Sequence, residues 1–354
     1  MENFVPSNPA RILVSALEIA SINPLDHASD IKELFVTHDR PEFPQFFDRA
    51  YPAAVRVGAR SWVGLDSDGR LVMHIARFSH RFAMGEDTLV AGILVNLMVA
   101  KSHRTFLPAA ALLRRVVADS KEQQGVDFLY VDSVPAASVV LKAAGFSVLG
   151  TLGRFAFPLG ARQWYADTLA RLYQLTVRTR TGSGGYEMIK HSARGFDTAP
   201  FERPTGSSVM LRPFRPAELY ARRIEGYPSD KDHWFTIRKG PESSPPAGAV
   251  LIREFPNGIA KLISLSREPS MSLSDSTASL IGALREADYK RLWVSTLLES
   301  EFARDLNRAG FIARRDTSPL LAYGLTKRGA GAIRSPEKWE ITDLDCDRGD
   351  PLAA

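Results

Sequence analysis

One short phrase occurs twice in this chain of 354 residues, as Leu141-Lys-Ala-Ala-Gly-Phe146 and as Leu306-Asn-Arg-Ala-Gly-Phe311. Each copy is predicted to end a short amphipathic helix and to open a strand. Each also follows an apolar stretch of strand character, at 128–131 and at 292–294. Glycine is the commonest residue just after a helix, so a single copy would carry little weight. Two copies in the same order of elements, about half a chain apart, predict a duplicated domain.

The first half is predicted to mix strands and helices, because apolar residues recur at strand spacing in some segments and at helical spacing in others. Strands are predicted at 12–17, 61–65, 70–75, 78–83, 89–99, 128–131 and 146–157, and helices at 28–37, 44–55, 106–122 and 135–144.

The second half is predicted to repeat that order after a connecting helix at 163–177, a Gly/Ser-rich linker at 179–185 and a loop to about 204. Strands are predicted at 209–212, 234–238, 248–255, 259–265, 292–297 and 311–325, and helices at 217–224, 277–287 and 301–309. The predicted organisation is a first domain at 1–160, a connection at 161–206, a second domain at 207–327 and an acidic tail at 328–354.

Composition bounds the function. A hydrophobic share of 45% and a charged share of 24% are typical of a globular protein in water. A net charge of +5 suits a phosphate-bearing small molecule and is too small to indicate a nucleic-acid partner. With Cys346 the single cysteine, an intrachain disulfide is impossible, which fits a reducing compartment. We therefore expect a cytoplasmic protein with no membrane partner, and we see no signal peptide and no metal-ligand spacing.

The order strand, helix, strand, short helix, Gly-Phe and last strand resembles the GNAT superfamily, the Gcn5-related N-acetyltransferases, arranged as a tandem of two domains. The likeness covers residues 10–160 and, more weakly, 207–326. It implies an α+β fold in which each domain has a mixed, mostly antiparallel sheet flanked by helices. It also implies a V-shaped cleft beside a central strand, in which acetyl-CoA lies with its pyrophosphate over the start of the next helix.

The resemblance also implies which residues hold the cofactor. The superfamily's loop pattern, Arg/Gln-x-x-Gly-x-Gly/Ala, aligns here with Arg104-Thr-Phe-Leu-Pro-Ala109. Leu107 stands where a glycine is usual, and Pro108 removes one amide donor. A plain strand-to-helix turn with solvated basic residues is the alternative. The predicted cofactor-binding residues are Leu97, Met98, Val99, Lys101, His103, Arg104, Leu107, Ala109 and Ala110.

The predicted catalytic groups depart from the superfamily. Many members place a tyrosine on the short helix to protonate the departing thiolate, and Leu141 and Leu306 stand at that position here. Asp132, at the end of a strand, is the first candidate for a general base, with helix capping by Asp132 and Ser133 as the alternative. His80 is a second candidate, although it and His74 also fit ordinary structural histidines. Glu86 lies in the next turn.

These observations predict an acyl-CoA-dependent N-acyltransferase that moves an acetyl group to a primary amine of a small molecule, such as an amino sugar or amino acid. The second copy lacks a glycine pattern in its loop at 266–274 and is interpreted as a scaffold. Trp339 and the acidic tail resemble tandem members from bacterial polysaccharide biosynthesis. Two alternatives stay open: a catalytically silent binding protein, and a Fem-like aminoacyl transferase, which would bind RNA. Oligomeric state is not predicted.

Overall fold

The computed structural model describes residues 17–85, 87–123, 125–159, 185–191, 211–214, 231–240, 245–268 and 271–342. The predicted strand at 12–17 lies almost wholly outside these ranges, and the predicted helices at 163–177 and 217–224 lie wholly outside them, as does Glu86.

The described residues follow most of the predicted order, with strands at Glu18–Ile22 and Tyr186–His191 and a helix at Lys327–Ala332 added where no strand or helix was predicted. The strands are β1 Glu18–Ile22, β2 Arg60–Leu65, β3 Leu71–Met84, β4 Asp87–Val99, β5 Phe128–Asp132, β6 Ser147–Pro158, β7 Tyr186–His191, β8 Leu211–Phe214, β9 Asp232–Lys239, β10 Pro246–Phe255, β11 Ile259–Arg267, β12 Arg291–Leu297 and β13 Ile312–Gly324. The helices are α1 Ala28–Thr37, α2 Phe43–Arg56, α3 Phe106–Glu122, α4 Pro135–Ala143, α5 Leu273–Glu286, α6 Glu301–Arg308 and α7 Lys327–Ala332.

Three predictions are wrong in detail. Residues 186–191 form β7 where a loop was expected, and β7 pairs antiparallel with β9. Helix α5 begins four residues earlier than predicted, because Ser272 is its N-cap and accepts from the Asp275 amide at 3.0 Å. The start of the predicted tail is structured: α7 occupies part of it, and Trp339 is fully buried.

The repeated phrase makes the same helix ending in both copies. Gly145 and Gly310 both adopt the left-handed conformation, with φ of +95° and +92°. The Phe146 amide donates to the Leu141 carbonyl at 3.1 Å, and the equivalent bond from Phe311 to Leu306 is 3.0 Å. This is the Schellman motif, which satisfies the last helix carbonyls and brings the leucine and phenylalanine together. The four side chains are buried, so the phrase serves the core.

The chain forms two compact units. The first consists of the residues up to Ser79, Val90–Ser147 and Leu321–Gly331. Its strand order is β1-β2-β3-β4-β5 followed by the end of β13. Pairing is antiparallel from β1 to β3 and parallel between β4 and β5.

The second unit consists of His80–Leu89, Val148–Leu320 and the residues from Ala332. Its strand order is β13-β6-β12-β11-β10-β9-β7, with β8 paired to the end of β3. The β11/β12 pair is parallel, while the pairs β12/β6, β11/β10, β10/β9 and β9/β7 are antiparallel. A mixed, mostly antiparallel sheet flanked by helices is therefore confirmed as the fold class.

The two halves of the sequence exchange their last strands. Strand β6, from the first half, pairs with the whole length of β12, from Arg291↔Pro158 to Leu297↔Leu152. Strand β13, from the second half, lies beside β5. The core of the second unit accordingly contains Phe155 and Phe157, packed among residues from α5, β12 and α6. Each compact unit therefore draws on both halves of the chain.

Candidate functional site

In the first unit, β4 extends beyond the point where its pairing with β5 ends. Their parallel register covers Ala91↔Phe128, Gly92↔Leu129 and Ile93↔Tyr130. Strand β4 then continues to Val99, so its last residues extend past the paired stretch. Leu97 and Val99 are partly exposed there, while Met98 is buried at 8% exposure. The end of β4 therefore has an edge that a bound molecule can reach.

Helix α3 begins a few residues after this edge. A short 3-10 turn at Lys101–His103 leads to the N-cap Thr105, whose side chain makes no capping hydrogen bond. Phe106 and Leu107 are the first two helical residues, and their amides have no carbonyl to bond within the helix. Pro108 has no N–H, which leaves a smaller donor set than an uninterrupted helix start. Ala109 and Ala110 face the core, at 7% and 0% exposure.

The three polar side chains predicted to face the pyrophosphate already have partners on the protein. Arg104 Nε donates to the Val99 carbonyl at 2.9 Å, and its guanidinium lies 3.8 Å from the Met98 sulfur. Lys101 is exposed and pairs with Asp39 at 2.8 Å. His103 Nδ1 lies 2.9 Å from the Ser102 hydroxyl. The structure therefore brings the predicted cations to one loop, with their charges partly engaged.

Sequence reasoning missed the residues that face this loop from the end of α1. Asp39 has a φ of +71°, and the Lys101 ammonium lowers the pKa of its carboxyl. Desolvation, together with the positive charges of Arg104 and Lys101, lowers the pKa of His38. His38 Nδ1 has no hydrogen-bond partner among the described residues. No spacing rule connects 38–39 with 101–104, so the sequence offered no signal for this grouping.

Asn96 interrupts the regular geometry of β4. Its φ is +57°, in the left-handed region where asparagine is tolerated better than most residues. Its carbonyl faces His74 Nδ1 at 3.1 Å, and its side-chain amide donates to the Tyr51 hydroxyl at 3.1 Å. The sequence analysis did not single out Asn96. The enrichment of asparagine at left-handed positions was the signal available.

His74 is a fully buried histidine, which agrees with the structural alternative stated above. Its Nε2 lies 3.1 Å from the buried Ser61 hydroxyl. Burial lowers the pKa of His74 to about 4, opposed by the bond to the Asn96 carbonyl. The ring is therefore neutral near pH 7. Because Nδ1 faces a carbonyl, it carries the proton, and Nε2 accepts from the hydroxyl.

The predicted catalytic residues lie on different strands. Asp132 ends β5 in the first unit and is half-buried, whereas His80 lies on β3 in the part of that strand that belongs to the second unit. Val134 is the N-cap of α4, and the Ser133 hydroxyl lies 2.6 Å from that of Ser138.

The tyrosine position of the superfamily is apolar and buried in both copies. Leu141 and Leu306 are each 1% exposed, inside the core. Neither side chain can give up a proton.

The equivalent strand edge in the second unit is occupied by the chain itself. Strands β11 and β12 pair only to Leu262↔Val294. The carbonyl of the next residue, Ile263, accepts from the Thr342 hydroxyl at 2.8 Å. Arg267, at the end of β11, forms a buried ion pair with Glu340 at 3.0 Å. The segment 339–342 therefore covers the position that stays reachable in the first unit.

Two further observations concern the described residues as a group. In these ranges no three side chains from histidine, cysteine, aspartate and glutamate come together in a way that could hold a metal. None of the helices described has the length and apolar character that crossing a bilayer requires.

Comparison with known proteins shows the fold. No protein-family model matches the sequence, and no curated protein sequence matches it. Solved structures do. A GCN5-related N-acetyltransferase of Kribbella flavida matches with a TM-score of 0.61 and 15% identity, covering 90% of this chain and 74% of its own. A protein of Enterococcus faecalis described as a probable N-acyltransferase matches with a TM-score of 0.63 and 10% identity, covering 88% of this chain and 73% of its own.

A third match is a GCN5-related N-acetyltransferase of Anabaena variabilis, with a TM-score of 0.62 and 10% identity over 88% of this chain and 74% of its own. Because identity to all three is low, the likeness concerns the fold alone. The chain therefore has the fold of the GCN5-related N-acetyltransferase superfamily.

Proposed function

We propose that the chain is an acyl-CoA-dependent N-acyltransferase whose cofactor binds the first unit beside the end of β4. The observation that supports this most directly is the early end of the β4/β5 register at Ile93, with α3 beginning soon after β4 ends. A splayed strand edge followed by a helix start offers backbone donors and acceptors for an extended amide-containing arm, and amide donors for a diphosphate.

The loop has the types of chemical group that bind such a cofactor. Main-chain groups of Leu97, Met98 and Val99 would bond to the pantetheine arm. The amides of Phe106 and Leu107, with Lys101, His103 and Arg104, would face the pyrophosphate. Binding would require Lys101 to exchange Asp39 for phosphate, which is favourable because phosphate carries more charge than one exposed carboxylate.

Acyl-CoA, when bound, would supply an activated acyl group, and acetyl is the proposed one. The chain's part would be to align an amine and to remove its proton. Asp132 is the proposed base, because a half-buried carboxylate at the end of β5 can take a proton from an ammonium through one water. His80 is the reserve candidate.

The acceptor proposed is a primary amine on a small molecule, such as an amino sugar or an amino acid, in a cytoplasmic setting. The segment 339–342 supports a single site, because the edge of β11 is used internally. The second copy then serves as a scaffold. No nucleic acid, membrane or metal is needed by this proposal.

A silent acyl-CoA-binding protein is the second candidate. Leu141 and Leu306 favour it, because both positions that would hold the superfamily's proton donor are buried apolar side chains. Aminolysis of a thioester can proceed without that donor when the amine is deprotonated and aligned. Turnover therefore decides between the two.

The test is calorimetric titration of acetyl-CoA into the parent protein and into a Lys101→Ala, Arg104→Ala double variant. We expect the double variant to bind at least about tenfold more weakly, since each phosphate contact from a cation contributes about 1 kcal/mol or more. An Arg114→Ala, Lys142→Ala variant is the matched control, because it removes two exposed cations further along α3 and on α4.

The second stage measures thiol release across a panel of amino sugars and amino acids, with Asp132→Asn alongside. Thiol release by the parent that falls in Asp132→Asn supports the transferase. Binding without thiol release supports the silent protein. If the parent does not bind acetyl-CoA, or if both double variants weaken binding equally, the proposed site is wrong.

A further inference from the structure

The first unit contains a buried polar network that ends on the residue where β4 changes direction. Ser61 on β2, His74 on β3, Asn96 on β4 and Tyr51 on α2 are joined by three hydrogen bonds, each 3.1 Å long. Ser61, His74 and Tyr51 are all 0% exposed. A buried polar network is costly to leave half-satisfied, so its members hold one another in place.

The network is enclosed by aromatic rings. Phe35 packs edge-on to His74 at 5.6 Å between ring centroids, and Tyr51 lies 6.1 Å from it. Tyr51 also stacks on Phe47 at 4.1 Å. The rings shield His74 and Tyr51 from water, whereas Asn96 is partly exposed. Two buried side chains therefore bond to the Asn96 carbonyl and to its side-chain amide.

These two bonds fix Asn96 from two directions. The carbonyl is drawn toward β3, while the amide is drawn toward α2. A non-glycine residue in the left-handed region costs roughly 1–2 kcal/mol, so the conformation persists only where surrounding contacts determine it. Asn96 lies three residues after Ile93, where the pairing of β4 with β5 ends.

We propose that His74 is a positioning residue: it holds Asn96 in the left-handed conformation and thereby keeps the end of β4 apart from β5, at the place where the acyl-CoA binds. The identity of the ligand rests on the proposed function, whereas the effect of His74 on the backbone of β4 does not. His74 does not touch the cofactor or the reacting atoms. It acts through the Asn96 carbonyl.

Two pairs of variants test this role. His74→Leu removes both hydrogen bonds, whereas His74→Asn keeps a donor where Nδ1 was. Asn96→Ala cannot adopt a positive φ without strain, whereas Asn96→Gly can. We expect acetyl-CoA affinity to fall about tenfold in His74→Leu and Asn96→Ala, and to stay within about threefold in the two conservative variants. Ser61→Ala should also stay within about threefold, because it leaves the bond to Asn96.

A stability control separates positioning from general damage. Leu284→Ala creates a cavity in the core of the second unit, where Leu284 is 0% exposed. Affinities are compared at a temperature at which every variant is folded by circular dichroism. Equal loss of affinity in Leu284→Ala, or full affinity in His74→Leu, would overturn the proposal.

A ligand-free measurement keeps the proposal distinct from the proposed function. Hydrogen exchange of the amides of 94–99 is followed by mass spectrometry without any cofactor. Faster exchange there in His74→Leu, with no change in Leu284→Ala, is the expected result. If it is found while the parent fails to bind acetyl-CoA, the network stands and the ligand is wrong. Unchanged exchange in His74→Leu means that His74 does not hold β4.

Discussion

At the residue scale, His74 couples the fold to pH. Burial lowers its pKa from 6.5 to about 4. Above pH 6.5 the imidazole is neutral in the folded and the unfolded chain, so it leaves stability unchanged. Between pH 6.5 and about 4 the unfolded chain binds a proton that the folded chain does not. Stability therefore falls with falling pH through this window, and the loss is complete below about pH 4.

We predict that His74 removes about 2 kcal/mol of stability between about pH 6.5 and about pH 5, at 1.36 kcal/mol per pH unit. Urea unfolding of the parent and of His74→Asn at several pH values in that window measures it. Over that window, the free energy of unfolding of His74→Asn should fall by about 2 kcal/mol less than that of the parent. Parallel pH dependences for the two proteins would contradict the prediction.

Single residues also show what the sequence could and could not tell. Lys101 and Arg104 were found because a loop pattern follows a strand. Asp39 was not, because it comes from a separate loop and only folding places it beside Lys101. Asn96 carried a weak signal, its tolerance of positive φ, which a pattern of hydrophobicity does not register.

At the element scale, β4 must pass close to a buried arginine. A Cβ added at Gly92 would lie 2.6 Å from both Cγ and Cδ of Arg77 and 2.8 Å from Leu129 Cδ2. Arg77 cannot move aside freely, since its guanidinium donates to Ser120 at 2.9 Å and to Gln123 at 3.2 Å. These acceptors lie at the end of α3, where the negative end of the helix dipole favours a cation.

We predict that Gly92→Ala destabilises the protein by about 1–3 kcal/mol, as overpacking of a close contact does. Gly282→Ala is the matched control, because a Cβ added there, on α5, meets nothing within 4 Å. It should be neutral or stabilising by up to about 1 kcal/mol, since alanine is the better helix former. Thermal unfolding of both variants checks this. Equal effects would show that Gly92 is not a packing constraint.

Elements were predictable where local chemistry sets them. The bounds of α1 and α3 follow from apolar spacing and are as predicted. The Schellman ending follows from one glycine in each copy. Strand β7 was missed because it is short and partly exposed and follows a Gly/Ser-rich stretch, whose composition predicted a loop.

At the scale of the whole molecule, the exchange of last strands could not be predicted. Strands β6 and β13 follow equivalent helices and have similar apolar content, so either satisfies the hydrogen-bonding edge of β5 or β12. Sequence patterns indicate that a segment forms a strand, but here they do not determine which strand it pairs with. The predicted division at 160 and 206 therefore describes the order of the sequence, while the compact units cross it.

We predict that residues 1–160 will not fold when produced alone. The fragment would expose Phe155 and Phe157, which lie in the core of the second unit, at a cost of about 2–3 kcal/mol each. It would also leave β5 without β13. Produced together, fragments 1–160 and 161–354 should copurify and show the parent's circular dichroism. A soluble, cooperatively unfolding fragment 1–160 would contradict this.

The exchange of strands also sets an order in time. A growing chain makes β5 early, but the strand that covers its edge is not complete until Gly324. Ribosomes add about 5–20 residues each second, so β5 lacks a partner at that edge for roughly 10–40 s after it is synthesised. During synthesis the first copy is thus a nascent sheet with an open side, and chaperone occupancy should peak on it before the last strand emerges.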